Sequence, residues 1–303
     1  MSNKLLVVGS VAFDSLKTRA GKRDEILGGA ATYIALTASH FAKVNLVGVV
    51  GKGDFPEEHV NLLTQKGVDV EGLEFAEGKT FRWAGEYADD FSTRQTLDTQ
   101  LGVFEHFDPK IPDSYQGAQI VLLGNINPSV QLQVLDRLNE KPYVITDTMN
   151  LWMDIALDEL KKVIARTNLL VINDEEAVQL SGELQIRVAA KKILAMGPEA
   201  LIIKRGEHGA YLFTKDTMFF APAIPLEEVI DPTGAGDSFV GGLAGYLAGE
   251  GKTTVSAIKK GMIFGTATAS ATCEGFGTEN TARLTKDEVL NRYYMLLNLV
   301  STD

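Results

Sequence analysis

The chain contains 303 residues, 45% of which are hydrophobic, and its formal net charge at pH 7 is −11. This length is enough for one large hydrophobic core or two modest ones. The acidic balance and the absence of a basic run argue against nucleic acid or an anionic membrane as a partner. No apolar run approaches the length that crosses a bilayer. The single cysteine, Cys273, allows no disulfide within the chain, which favours a reducing, cytoplasmic location.

The N-terminal region is predicted to begin with a buried strand. Residues 5–8 form a continuous apolar run, typical of a strand covered on both faces of a parallel sheet, and this run is too short for a signal peptide. Asp14 follows in a predicted loop at the carboxyl end of this strand, where α/β sheets bind ligands. Taken alone, Asp14 could equally be a turn-forming residue.

Two further turns in this region precede helices. Gly28 and Gly29 form a glycine turn at the start of a predicted helix that contains Tyr33. Asp54 follows the next predicted strand, and we expect it to cap a helix over residues 56–66.

The pattern changes between residues 79 and 104. Residues 80–87 alternate between apolar and polar side chains, and residues 93–103 are again extended and rich in polar side chains. This pattern predicts a pair of antiparallel strands with one face in water. Such a ribbon has too little core to be stable alone, so it must cover another part of the molecule. Trp83, Arg82 and Arg94 could contact a ligand or a second subunit, or pack within the ribbon.

From residue 119 onward, apolar strand runs alternate with helical segments, which predicts parallel βαβ units. Asn125 follows the first of these strands, and its side chain is predicted to face the same crevice as Asp14. Residues 204–210 form a hairpin-like turn that contains Gly206 and Gly209. The predicted strands cover residues 120–124, 143–147, 169–173 and 200–204, and the predicted helices cover residues 129–139, 156–167, 174–180, 185–196, 255–272 and 287–299.

A turn with almost no side chains, Gly234-Ala235-Gly236, is predicted to begin a buried helix. Helix N-termini carry unpaired N–H donors and the positive end of the helix dipole, so this turn is suited to a phosphate group. Asp237 would repel that phosphate unless a substrate hydroxyl lies between them, and a carboxylate there can orient the hydroxyl and accept its proton. Its place at a helix N-terminus predicts a low pKa for Asp237. The same four residues could also be a plain helix cap.

These residues belong to a longer pattern that resembles the PfkB (ribokinase-like) family of carbohydrate and nucleoside kinases. The chain matches the family signature Asp-Thr/Pro-x-Gly-Ala-Gly-Asp-x-Phe at Asp231, Thr233, Gly234, Ala235, Gly236, Asp237 and Phe239. Asn173 and Glu176 match the family's Asn-x-x-Glu motif, although an Asn cap followed by acidic residues would also account for them. Gly28 and Gly29 match its N-terminal Gly-Gly element.

The resemblance covers essentially the whole chain and implies a fold. That fold is a doubly wound, mostly parallel α/β/α sheet with a small β-sheet lid. It implies a single domain over residues 1–303, with lid strands inserted at about residues 10–25 and 79–104. Family lids often pair between subunits, which implies a homodimer through the lid.

The resemblance also implies an activity and a set of site residues. The expected enzyme is a kinase that transfers the γ-phosphoryl group of ATP, with Mg²⁺, to a hydroxyl of a small sugar or sugar-like polyol. A nucleoside kinase and a catalytically silent ligand-binding regulator are the alternatives. Asp237 would be the catalytic acid–base group, assisted by Gly234, Ala235 and Gly236. Substrate would contact Asp14, Gly28, Gly29, Tyr33 and Asn125; ATP would contact Asn173, Glu176, Lys204, Gly206 and Gly209.

Metal sites are implied in the same way. Glu176 would act on Mg²⁺ through water, and Asp231 and Thr233 would supply carbonyl groups to a monovalent cation such as K⁺. The chain departs from typical members at Tyr33, where the family has Asn, and at Lys204, where it has Thr. Two other nucleotide-binding classes are disfavoured, because the chain has neither a P-loop sequence nor a Gly-x-Gly-x-x-Gly turn after its first strand.

Overall fold

A large, mostly parallel sheet forms the centre of the fold in this computed structural model, which describes residues 4–91 and 93–301. The ends of the predicted 1–303 domain, and Ser92 within the predicted lid segment, lie outside the described residues. The strands in chain order are β1 (Lys4–Val8), β2 (Ala12–Thr18), β3 (Gly21–Gly28), β4 (Lys43–Gly51), β5 (Val68–Ala76), β6 (Phe81–Tyr87), β7 (Arg94–Gln100), β8 (Ile120–Leu123), β9 (Tyr143–Asp147), β10 (Leu169–Asn173), β11 (Ala200–Lys204), β12 (Ala210–Thr214) and β13 (Met218–Ala221).

Helices cover the large sheet. They are α1 (Ala30–Ala38), α2 (Glu57–Gln65), α3 (Pro128–Arg137), α4 (Asn150–Ile155), α5 (Leu157–Ile164), α6 (Asp174–Ser181), α7 (Ile186–Leu194), α8 (Ala235–Glu250), α9 (Val255–Cys273), α10 (Glu279–Arg283) and α11 (Lys286–Val300). The apolar helix that follows the predicted phosphate turn, α8, lies against α1 and α9. Its approach to α1 depends on Gly245, where a Cβ atom would lie 2.6 Å from the Cα atom of Ala38. In the described part of the chain, no helix is long and apolar enough to cross a membrane.

The strand order of the large sheet is β13-β12-β11-β10-β9-β8-β1-β4-β5. From β11 to β5, each strand pairs in parallel with its neighbour. At the other edge, β12 pairs antiparallel with both β11 and β13. Strands such as β1 and β8 are apolar along almost their whole length because helices cover both faces of the sheet. The mostly parallel α/β fold predicted from the sequence is therefore confirmed. One predicted helix, over residues 156–167, is shorter than expected: α5 covers Leu157–Ile164, and the N–H groups of Arg166 and Thr167 bond three residues back in a turn that ends it.

A second, smaller sheet has the strand order β3-β2-β6-β7. It combines the strands near the N-terminus with the ribbon predicted from residues 79–104, and β3 extends as far as Gly28. The prediction that Asp14 lies in a loop is wrong. Asp14 lies in β2, opposite Ile26 of β3 and Trp83 of β6, because the chain leaves β1 and enters the small sheet at Ala12.

The expected role of Asp54 is also wrong. The N-cap of α2 is Pro56, and the Asp54 carboxylate instead accepts hydrogen bonds from the backbone N–H and the hydroxyl of Thr80. It also pairs with Arg82 of β6 at 3.0 Å. Burial alone would raise the pKa of Asp54, but the bonds from Thr80 and Arg82 outweigh burial and hold the pKa below its usual value. Asp54 therefore ties the small sheet to the end of β4.

We predict that Asp54→Asn lowers the free energy of unfolding by about 1–3 kcal/mol, because the amide cannot replace a charged acceptor that has three donors. Urea denaturation at pH 7 measures this. The pKa of Asp54 is lowered on folding, so its contribution is present above the pKa of the unfolded state and is lost as the pH falls through the folded pKa. The difference between wild type and variant should therefore shrink below about pH 4. A difference that does not change with pH would contradict this assignment.

Candidate active site

Polar side chains from both sheets meet at one edge of the large sheet. Asp147, Asn173 and Lys204 stand at the carboxyl ends of the neighbouring strands β9, β10 and β11. The segment from Asp231 to Asp237 leads into α8, and Asp14 comes from the small sheet. The carboxyl ends of parallel strands are the usual ligand-binding edge of such folds.

The turn before α8 has the geometry predicted from its sequence. Gly234 has a φ of +74°, and a Cβ atom there would overlap the ring of Tyr33, so only glycine fits. Within the described residues, the N–H groups of Gly234 and Gly236 have no acceptor. Ala235 differs from the expectation, since its N–H group donates to the carbonyl of Pro232 at 3.1 Å. Two of the predicted phosphate donors are therefore free.

Asp231 holds this turn in place. Its carboxylate accepts hydrogen bonds from the N–H groups of Thr233 and Gly277, each at 2.9 Å. Burial raises the pKa of Asp231, although these bonds oppose the rise. Asp231 therefore ties the start of the signature segment to the loop at Gly277.

The small sheet reaches the same turn through Tyr87. The Thr233 hydroxyl donates to the Tyr87 hydroxyl at 3.1 Å, and Arg94 of β7 also donates to Tyr87. The guanidinium of Arg94 lies 5.2 Å from the centre of the Trp83 ring. The small sheet therefore lies over the turn. The sequence showed no sign of the Tyr87 contact, because Tyr87 and Thr233 are far apart along the chain.

The predicted low pKa of Asp237 is wrong. Its pKa is raised to about 7: burial is the largest cause and the negative charge of Asp147 adds to it, while Lys204 and Arg94 oppose the rise. The helix dipole favours the ionised carboxylate, but the loss of water around a buried charge is the larger effect. Asp237 can therefore gain and release a proton near neutral pH, as a general acid–base group must.

Asp14 is the second carboxyl group with this property. Burial raises its pKa to about 7, a hydrogen bond from the Gly29 N–H group lowers it, and Asp231 and Asp237 raise it. Its carboxylate lies against Gly28, where any Cβ atom would overlap it. The structure thus brings Asp14, Gly28 and Gly29 together, as the sequence predicted.

Tyr33 lies beneath the turn and is almost completely buried. Its hydroxyl has no hydrogen-bond partner among the described residues. Burial raises its pKa well above the usual value, and Asp14, Asp231 and Asp237 raise it further, so the phenol stays protonated. Tyr33 therefore contributes a neutral, unpaired hydroxyl next to these carboxyl groups.

Asn173 and Glu176 form a reciprocal capping box at the start of α6. The Asn173 side chain accepts from the Glu176 N–H group, and Oε2 of Glu176 accepts from the Asn173 N–H group, both at 2.7 Å. Burial raises the pKa of Glu176 to about 7, against the opposing charge of Lys204. Glu176 is therefore a capping residue of α6. Its second oxygen, Oε1, can still bind a water molecule of a hydrated cation.

No cluster of three or more His, Cys, Asp or Glu side chains suited to a metal occurs in the described residues. Mg²⁺ bound here would take most of its ligands from water and phosphate.

The remaining predicted site residues have structural partners. The Asn125 amide donates to the sulfur of Met149 and accepts from the Trp152 indole at 2.8 Å, so it holds the start of α4. Gly206 and Gly209 lie in the turn between β11 and β12, as predicted. Asp147, the last residue of β9, pairs with Lys204 at the same edge. From the sequence, Asp147 begins a segment similar to the family's Asp-x-Asn motif, but Asn150 stands one position late and no site role was predicted for it.

Comparisons with known proteins place the whole chain in a family. Residues 3–285 match the model of the pfkB family carbohydrate kinases. The chain is 33% identical over 253 residues to a cytidine kinase of Thermococcus kodakarensis, a match that covers 81% of this chain and 89% of that protein. The crystal structure of the nucleoside kinase of Methanocaldococcus jannaschii superposes with a TM-score of 0.78 at 24% identity, covering 97% of this chain and 98% of the other.

A second solved structure, the aminoimidazole riboside kinase of Salmonella enterica complexed with aminoimidazole riboside and an ATP analog, gives a TM-score of 0.73 at 19% identity. It covers 96% of this chain and 99% of the other. The family match over nearly the whole chain, together with the signature turn, identifies this protein as a member of the PfkB family of kinases, which are ATP-dependent phosphotransferases.

Proposed function

We propose that this kinase transfers the γ-phosphoryl group of ATP to a hydroxyl group of a ribonucleoside. The observation that carries the proposal is the pair of carboxyl groups of Asp14, which is buried, and Asp237, which is half-buried, next to a turn with free N–H donors. From the sequence, a sugar or polyol was the first expectation and a nucleoside the alternative. The nucleoside is put first here because two relatives are named a cytidine kinase and a nucleoside kinase.

The acceptor half of the site provides orientation and a proton acceptor. Asp14 accepts hydrogen bonds from acceptor hydroxyls, with the backbone of Gly28 and Gly29 against the same molecule, and the buried Tyr33 ring supports the turn from beneath. Asp237 orients the attacking hydroxyl and takes its proton as the new P–O bond forms. Because the pKa of Asp237 is near 7, it releases that proton easily after transfer.

The donor half of the site binds phosphate. The N–H groups of Gly234 and Gly236, at the positive end of the α8 dipole, face the terminal phosphate and stabilise the charge that it carries during transfer. Ala235 shapes the turn. Lys204 approaches the same phosphate, and the Asn173 cap and the Gly206–Gly209 turn border the nucleotide. Mg²⁺, held through water by Glu176, would neutralise charge on the phosphates.

The lid supplies the surface for a base. Trp83 and Tyr87 from β6 and Arg94 from β7 lie above the site, and aromatic and guanidinium groups of this kind stack on nucleobases. The second candidate acceptor is a small sugar or polyol, because the carboxylates of Asp14 and Asp237 can accept hydrogen bonds from its hydroxyl groups equally well. A silent regulator is less consistent with the site, because the full set of groups for transfer is present.

Further features implied by the family resemblance are part of the proposal. A monovalent cation such as K⁺ would be bound by backbone carbonyl groups near Asp231 and Thr233. The exposed outer strand β7 of the lid would pair with a second copy of the chain, and the enzyme would act in the cytoplasm.

We predict that ADP release depends on an added acceptor and is fastest with a ribonucleoside. A coupled ADP assay with ribonucleosides, ribose, fructose and cyclitols measures this.

The variant Asp237→Asn should lower kcat by roughly 10²- to 10⁴-fold, because the proton acceptor is lost, while ATP binding is retained. A higher kcat/KM for a free sugar would favour the second candidate. Near-normal turnover of Asp237→Asn would refute the catalytic assignment.

We also predict that kcat/KM rises with pH through about 7 and then levels off, because burial raises the pKa of both Asp14 and Asp237 to about 7. Each group acts in its ionised form, so activity should fall by about tenfold per pH unit on the acid side, or more steeply where both must ionise. Asp14→Asn should make the acid limb less steep. A midpoint near pH 4, the value of an unperturbed carboxyl group, would be inconsistent with these assignments.

A further inference from the structure

Lys204 and Asp147 form a largely buried ion pair at the edge of the site. The Nζ atom of Lys204 lies 3.2 Å from Oδ1 of Asp147, and the two side chains are only 17% and 7% exposed. They come from the ends of β11 and β9, on either side of β10. Taking two charges out of water is unfavourable unless their surroundings compensate for it. The pair therefore needs a reason beyond linking two strand ends.

The position of the ammonium group supplies that reason. A Cβ atom on Gly236 would lie 3.2 Å from Nζ of Lys204, so the cation lies beside the first turn of α8. The positive end of a helix dipole repels a cation. Lys204 stays charged there because Asp147, Glu176 and Asp237 surround it; their charges raise its pKa although burial alone would lower it.

The charges around the turn do not balance without a cation from the chain. Asp147, Glu176 and Asp237 are all carboxyl groups, and a phosphate in the turn would add more negative charge. In the described part of the chain, the cations that act on Asp237 are Lys204 and Arg94, and Arg94 belongs to the lid. Lys204 is the one that stands beside Gly236, on the rigid sheet.

We propose that Lys204 binds the terminal phosphates of ATP from its place beside Gly236, and that Asp147 is the residue that positions its ammonium group. This inference rests on the proposed function and deepens it, because it names the electrostatic partner of the donor. Lysine is a flexible point charge, so a fixed carboxylate at 3.2 Å restricts where its ammonium group can go.

Asp147 is itself well fixed. It pairs with Val171 in the register of β9 and β10. The fully buried amide of Gln131 donates to the backbone carbonyl of Asp147 at 3.2 Å and to that of Gly124 at 2.9 Å. The backbone that carries the Asp147 carboxylate is thus held by both the sheet and α3, which is what a positioning residue requires.

The test uses Lys204→Met, Asp147→Asn, the double variant that carries both changes, and Lys204→Arg. We expect Lys204→Met to raise KM for ATP by roughly 10- to 100-fold, because an ionic hydrogen bond to phosphate is lost, with little change in KM for the acceptor. Asp147→Asn should raise KM for ATP by a smaller factor, since the ammonium group remains but is less restricted. Lys204→Arg should recover part of the affinity. Lys110→Met, which removes an exposed ion pair with Glu74 far from this edge, is the matched control and should leave KM for ATP unchanged.

The double variant distinguishes a role of the Lys204–Asp147 pair in ATP binding from a purely structural role. Lys204→Met alone leaves buried carboxylates uncompensated and is expected to be unstable, whereas the double variant removes one charge of each sign and should fold. The inference expects the double variant to be as weak for ATP as Lys204→Met. Wild-type affinity for ATP in the folded double variant would show that the pair is only structural and would overturn the inference.

Calorimetric titration with Mg²⁺ and ATP makes the result independent of the acceptor. If wild type binds ATP but phosphorylates nothing in the acceptor panel, the proposed function fails, while the titrations of wild type and double variant still decide the role of Lys204. A loss of ATP affinity in the double variant, with its melting temperature close to that of wild type, supports the inference. Equal affinities overturn it.

Discussion

The structure depends on holding several carboxyl groups close together in a site that excludes most water. Burial raises the pKa of Asp14, Glu176 and Asp237 to about 7, well above their usual values. Such a cluster is stable only because its groups can share protons, accept backbone N–H bonds and surround the ammonium group of Lys204. The same features serve phosphoryl transfer, which needs a proton acceptor, an anion site and a nearby cation.

Hydrogen bonds and ion pairs connect the small sheet to the rest of the molecule in several places, two of which lie at the base of the sheet and at the phosphate turn. Asp54 binds Thr80 and Arg82 at the base of the small sheet, and Tyr87 meets Thr233 at the phosphate turn. The first contact joins the small sheet to the end of β4, and the second joins it to the segment that begins α8. The small sheet therefore lies over the site, and moving it away would break the hydrogen bond between Thr233 and Tyr87.

Glu176 at the start of α6 and Asp237 at the start of α8 each serve both the fold and the chemistry of the site. The Asn cap of α6 was predicted from the sequence, and the structure adds the return bond, in which Oε2 of Glu176 accepts from the Asn173 N–H group. The burial of Glu176, its raised pKa and its interaction with Lys204 depend on neighbours from β9 and β11. Asp237 illustrates the reverse case. Its helix-terminal position predicts a low pKa, but packing around it changes the sign of the shift. The effect of a helix terminus on a pKa can be predicted from the sequence, whereas the effect of burial depends on how distant segments pack.

The sequence by itself determined the parallel α/β core, the glycine turn before α8, the Asn cap of α6 and the two ribbon segments of the small sheet, because apolar periodicity and turn residues act over a few neighbouring positions. It did not determine that Asp14 lies in a strand, that Asp54 binds the small sheet, that Asn125 is engaged by α4, or that Asp147 holds Lys204. Those features depend on which distant segments meet at the edge of the sheet. The tertiary structure decided them, because contact, burial and the resulting pKa shifts are properties of neighbours in space.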